Sequence, residues 1–167
     1  MSLGRRWMTL PACLVMAAAL PGCYESSSPL SPPGKVRHDA GLIGSWRCLP
    51  DGTRPDEHGS LEVFSFDDAQ YYAEWREEEE TTRYRAYGSQ VGGVILLNVQ
   101  ELKAGSPAGK WVFLRYRLET PRSLKVGVVR QDSVKGLDEA DALRAIRKRA
   151  ADDALYEPLM ACSREDR

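Results

Sequence analysis

The sequence predicts a mainly β domain: an antiparallel meander closed into a small barrel or left as a curved sheet, with one helix near its C-terminal end. Three observations carry that reading. From Leu42 onward, short apolar and aromatic runs are separated by Gly, Pro and Asp turn signals. The middle runs alternate with period two: Tyr71, Ala73 and Trp75 share one face, while Gln70, Tyr72, Glu74 and Arg76 project from the other. One later stretch, Leu137 to Ala151, has helical composition and places Ala140, Leu143, Ile146 or Arg147, and Ala150 at helical spacing.

Taken in order, the strands are expected at Leu42 to Leu49, Ser60 to Phe66, Gln70 to Glu77, Thr82 to Gly88, Val94 to Leu102, Lys110 to Leu118 and Leu124 to Gln131. In the sixth, Val112, Leu114, Tyr116 and Leu118 lie opposite Arg115 and Arg117, giving one dry and one wet face as an antiparallel meander requires. Asp67-Asp68 and Glu77 to Glu80 are short enough to be hairpin turns. The glutamate run lacks the spaced oxygen ligands and glycine of a calcium loop and reads as a solvated tip that discourages edge pairing. Ala104 to Gly109 makes a longer exposed loop. In the helix Asp138 is the expected N-cap, and Arg144, Arg147, Lys148 and Arg149 crowd the negative end of its dipole. Tyr156 to Cys162 follows as one returning strand.

Ahead of the domain, Arg5 and Arg6 precede an apolar run, Met8 to Leu20, that fits an export signal and is too short to span a bilayer. It ends in Leu20-Pro21-Gly22-Cys23, which resembles the lipobox of bacterial lipoproteins: an aliphatic residue three before the cysteine, a small residue directly before it, and a thiol to accept diacylglyceryl. That resemblance implies a signal peptide over 1–22, cleavage before Cys23, and attachment to the bilayer through acylated Cys23. Tyr24 in place of aspartate implies the outer membrane by the enterobacterial sorting rule, with the domain facing the periplasm. Residues 23–40, with Ser26-Ser27-Ser28, Pro29, Pro32, Pro33 and Gly34, read as a flexible tether. Residues 41–163 are then the single folded domain, a size that suits one core.

Of the four cysteines, Cys13 leaves with the signal and Cys23 takes the lipid, so Cys48 and Cys162 remain. In an oxidising compartment they are expected to pair, tying the start of the domain to its end.

Gly44-Ser45-Trp46, opening the first strand, matches the Gly-x-Trp signature of lipocalin-like barrels, and the order of elements is similar from Leu42 to Cys162. The resemblance implies that Trp46 closes the barrel floor. It also implies that an arginine near the end of the last strand covers Trp46, a place matched by Arg130 just before the helix. A smaller barrel or a curved sheet with the helix over its open end is the other expectation.

Without Arg5 and Arg6, 21 basic side chains face 24 acidic ones, a formal charge near −3 that gives nucleic-acid binding no electrostatic footing. His58 is the only histidine in the domain, so a serine or cysteine nucleophile would have a single candidate base. No zinc spacing, phosphate loop or haem attachment motif appears, and neither a cofactor nor a metal is expected. Tyr71, Tyr84, Arg85, Tyr87 and Arg115 are candidates for a polar pocket, or are ordinary cross-strand pairs. The expectation is a non-catalytic envelope lipoprotein that binds a small, partly apolar ligand in its barrel, or else docks another envelope protein.

Overall fold

A computed structural model describes residues 22–105 and 109–166. The export signal as far as Pro21 therefore lies outside the described residues, as do 106–108 of the long loop. The chain forms a closed, eight-stranded antiparallel barrel with one helix, the small lipocalin-like architecture expected. A two-residue strand, β1 (Glu25–Ser26), precedes the barrel strands β2 (Gly44–Pro50), β3 (Gly59–Ser65), β4 (Gln70–Glu77), β5 (Glu80–Val91), β6 (Val94–Glu101), β7 (Trp111–Thr120) and β8 (Ser123–Val129). Helix α1 (Glu139–Arg149) and β9 (Tyr156–Arg164) complete the fold. Each strand from β2 to β9 pairs with the next, and β9 closes the circle on β2.

Turn chemistry sets this register. Glu77 pairs directly with Glu80, so Glu78 and Glu79 are a two-residue hairpin tip, with Glu78 in the left-handed region at φ 51°. At the other end of β4, the Asp67 carboxylate accepts from the backbone N–H of Ala69 and Gln70, both at 2.8 Å. Strand β5 runs further than its composition suggests, through Gly88 to a Gly92-Gly93 turn seated under the end of α1. A side chain on Gly92 would approach the Arg147 carbonyl to 3.1 Å.

Two apolar layers result. The barrel interior holds Leu42, Trp46, Cys48, Val63, Tyr71, Ala73, Ala86, Val99, Leu124 and Val126, the inward half of the period-two pattern. Outside the wall, α1 and its C-cap Ala150 lay Ala142, Leu143, Ile146 and Ala150 over Tyr87, Leu96, Trp111 and Phe113. Asp138 caps the helix, accepting from the N–H of Asp141 at 2.8 Å.

Residues 23–40 are not the free tether expected from their Ser and Pro content. They form a strap packed on the barrel, because a few apolar and hydrogen-bonding positions within them find partners there. Tyr24 and Leu30 join the outer layer, and Ser26 is buried. Asn98, wholly buried in β6, accepts from the N–H of Leu30 at 2.8 Å and donates to the Ser89 hydroxyl at 2.8 Å and the Tyr87 carbonyl at 3.1 Å. The Tyr87 hydroxyl donates to Ser31 O at 2.9 Å, and Arg147 donates to Leu30 O at 2.7 Å. The strap thus satisfies polar groups that the barrel wall would otherwise bury unpaired.

Cys48 and Cys162 are bonded, as expected, and face each other directly across the β2–β9 ladder with their Cα atoms 4.0 Å apart. The bond closes a loop with a sequence separation of 114, for which chain entropy gives about 4 to 5 kcal/mol. Denaturant unfolding of the Cys48→Ala/Cys162→Ala double variant is expected to shift to lower denaturant by about that amount. An unchanged midpoint would show that strand pairing alone closes the barrel.

Candidate functional site

The barrel has two distinct ends. Gly44, the β3–β4, β5–β6 and β7–β8 turns and Arg164 lie at one, termed the Trp46 end. The finish of β8, the start of β9 and Cys23 lie at the other, the Cys23 end.

At the Trp46 end, the Trp46 ring is wholly buried and donates its indole N–H to Leu42 O at 2.9 Å. A guanidinium lies over that ring, but it belongs to Arg164, 4.2 Å from the ring centroid, and not to Arg130. The last barrel strand is β9, after the helix, and it runs back to the Trp46 end; β8 finishes at the opposite end and leaves Arg130 exposed beside Cys23. Arg164 also donates to Ile43 O at 2.8 Å, Pro121 O at 2.9 Å and Gly41 O, tying three segments together. Gly44 is required here: its φ is +131°, and a Cβ would stand 2.6 Å from Arg164 Nη1.

The strap finishes inside this end. Asp39 caps the short 3-10 turn Ala40–Leu42, its backbone N–H donates to the Tyr71 hydroxyl at 2.5 Å, and its carboxylate accepts from the Tyr116 hydroxyl at 3.2 Å. Burial, reinforced by the Asp39 charge, pushes Tyr71 up to about 12 and raises Tyr116 above the ordinary tyrosine range as well. This is a half-buried, hydrogen-bonded plug.

At the Cys23 end, the segment from Gly22 to Ser26 is part of the wall. Cys23 bridges to Arg130, Tyr24 N–H donates to Val129 O at 3.0 Å, and Glu25 and Ser26 pair with Val112 and Trp111. The Cys23 thiol is half-buried, and burial together with the carboxylates of Glu157 and Glu25 pushes it up to about 11. That environment disfavours the thiolate.

The other candidates separate. Tyr71 and Tyr84 face the interior, whereas Arg85 lies over Trp111 and Arg115 over Tyr156, each 4.7 Å from its ring, on the outer surface. His58 is exposed, with Nδ1 3.1 Å from Arg47 Nη2, and His38 Nδ1 meets Asp67 O at 2.8 Å. Among the described residues no cluster of three or more His, Cys, Asp or Glu side chains is placed to hold a metal, and no helix is long and apolar enough to cross a membrane. Sequence reasoning missed Arg164, Asp39 and Asn98. Only Asn98 carried a signal, an amide set inside the apolar run Val94 to Val99.

These features define a class, a small closed antiparallel barrel with an outer helix and an N-terminal strap built into its wall. Compared with protein-family models, curated proteins and solved structures, the chain matches none of them.

Two outcomes follow. Trp46→Ala should cost about 3 to 5 kcal/mol, the range for a large buried aromatic, while Arg164→Ala costs less. The double variant should fall short of the sum, and Arg130→Ala should leave thermal melting nearly unchanged. Tyr71 titrates near 10 when unfolded and at about 12 when folded, so its contribution to stability is intact below pH ~10 and lost as pH rises toward 12. Alkaline unfolding followed by circular dichroism should therefore be less pH-dependent in Tyr71→Phe than in the parent chain.

Proposed function

We propose that the protein is a lipid-anchored envelope protein, held at Cys23, whose barrel serves as a non-catalytic docking module for another envelope protein. The lipobox resemblance of Leu20 to Cys23 supports the anchor, and the Cys48–Cys162 bond suits an oxidising compartment. The observation that carries the docking reading is the position of Cys23 within the barrel wall. An acyl anchor there fixes the Cys23 end against the bilayer, an outer membrane by the sorting rule, without a long free tether. The Trp46 end, where Phe64 and Phe66 are exposed, is then turned away from lipid toward the periplasm. Exposed aromatics at such a position suit a protein partner.

A second reading, a small partly apolar ligand inside the barrel, is favoured by the inward side chains Leu97, Leu114, Tyr116, Leu118 and Met160, which pack on the interior cluster yet are only partly buried. Native mass spectrometry of the extracted protein distinguishes the two, since a co-purified small molecule supports the second. Cys23→Ser should leave the uncleaved precursor and abolish lipid labelling. Normal processing and unchanged membrane fractionation of that variant would remove the anchor.

A further inference from the structure

Strand β7 changes neighbours along its length, and this leaves two splits in the barrel wall. Toward the Cys23 end, its pairing with β8 stops at Leu114–Val128, and the residues beyond, Trp111 and Val112, pair with β1 instead. The chain's own segment Cys23–Ser26 fills this split, bonded on one side to β7 and on the other to the end of β8 through Tyr24 N–H and Val129 O. Glu25 within it lies 3.9 Å from Lys110. Toward the Trp46 end, pairing of β7 with β6 stops at Leu97–Leu114, so that Val94–Leu96 and Arg115–Arg117 have no ladder partners on each other. No strand of the described chain pairs into this second split, although Ala151 and Asp153, in the turn after α1, border it. It opens as a crevice of about 520 Å3 with Val94 and Ile95 on one side and Arg115, Tyr116 and Arg117 on the other.

We propose that the β6–β7 split takes an extended segment of a partner protein that carries an acidic side chain opposite Arg117. The inference rests on the docking reading and gives that reading a site. Three residues of strand span about 10 Å on each flank, enough for a short added strand to pair with both. The chain's own β1 demonstrates this mode of filling in the sister split, with an acid beside a base. Charge selects the occupant. Arg115 is committed to Asp153, and Glu119 is held by Lys125 at 2.8 Å, whereas Arg117 is exposed and makes no ion pair among the described residues. Tyr116 alternates with Arg115 and Arg117 and, with Ile95 on the facing strand, gives the inserted strand an apolar surface to meet.

The test uses the full chain purified in non-ionic detergent and three probes: a valine–threonine octapeptide with a central glutamate, the same peptide with lysine, and palmitate. Binding is read by fluorescence anisotropy of the labelled peptides and by amide hydrogen exchange at 94–96 and 115–117. The glutamate peptide should slow exchange at both flanks, and the lysine peptide should bind about tenfold more weakly, the scale of one partly exposed charge pair. Arg117→Glu should reverse that preference. Unchanged exchange with the glutamate peptide, equal binding of both peptides, or protection by palmitate and neither peptide would overturn the proposal. If it fails while anchoring still depends on Cys23, this site is removed and the docking reading stands on the exposed Trp46 end; loss of Cys23-dependent anchoring removes the docking reading itself.

Discussion

Closure of β9 on β2 is the constraint from which the rest of the architecture follows. An eight-stranded meander left open would expose two edges of unpaired backbone groups, and pairing the last strand with the first removes both. Here the pairing runs from Trp46–Arg164 to Pro50–Met160, with Cys48 and Cys162 bonded in its middle. Because β9 must lie between β8 and β2, the chain between β8 and β9 cannot continue within the wall. Its helix is therefore displaced onto the outer surface of the barrel. The same closure delivers Arg164 to the ring of Trp46, so that covalent, ladder and cation–ring contacts act on a single seam.

The second organising feature is the shear of the wall at β7. A strand that pairs with β6 along one half and β8 along the other leaves backbone groups unmatched at both ends. At one end the N-terminal strap restores the ladder, and its hold is strengthened by Asn98, Tyr87 and Arg147, which grip Leu30 and Ser31. Residues 22–42 thus trace a path from the Cys23 end to the Trp46 end, where Asp39 enters the interior between Tyr71 and Tyr116.

The barrel strands were legible in the sequence because half of each faces a dry interior and half faces water or the helix, which imposes period two on residue type. Tyr71, Ala73 and Trp75 face inward as that pattern requires, and the glutamate run is the turn its polarity suggests. The cysteine pairing was legible by elimination. What local pattern could not supply was which arginine covers Trp46. Arg130 and Arg164 each follow an apolar strand, and only the return of β9 beside β2 decides between them. The strap was illegible for another reason. Ser and Pro dominate its composition, while its docking depends on three apolar positions, Tyr24, Leu30 and Val36, and on one amide 68 residues away from Leu30. The β7 splits leave no trace in composition at all, since strand pairing partners are a property of the closed sheet.

The strap also governs access to the chain at Cys23. In the folded chain the carbonyl of Gly22 accepts from the N–H of Gln131 at 2.5 Å and Cys23 is paired with Arg130, so the chain on both sides of the peptide bond between Gly22 and Cys23 is tied to the barrel wall. A protease requires an extended, detached chain in its cleft. Any enzyme that cut or modified the chain at Cys23 would therefore have to reach it while the first strand is still free of the wall.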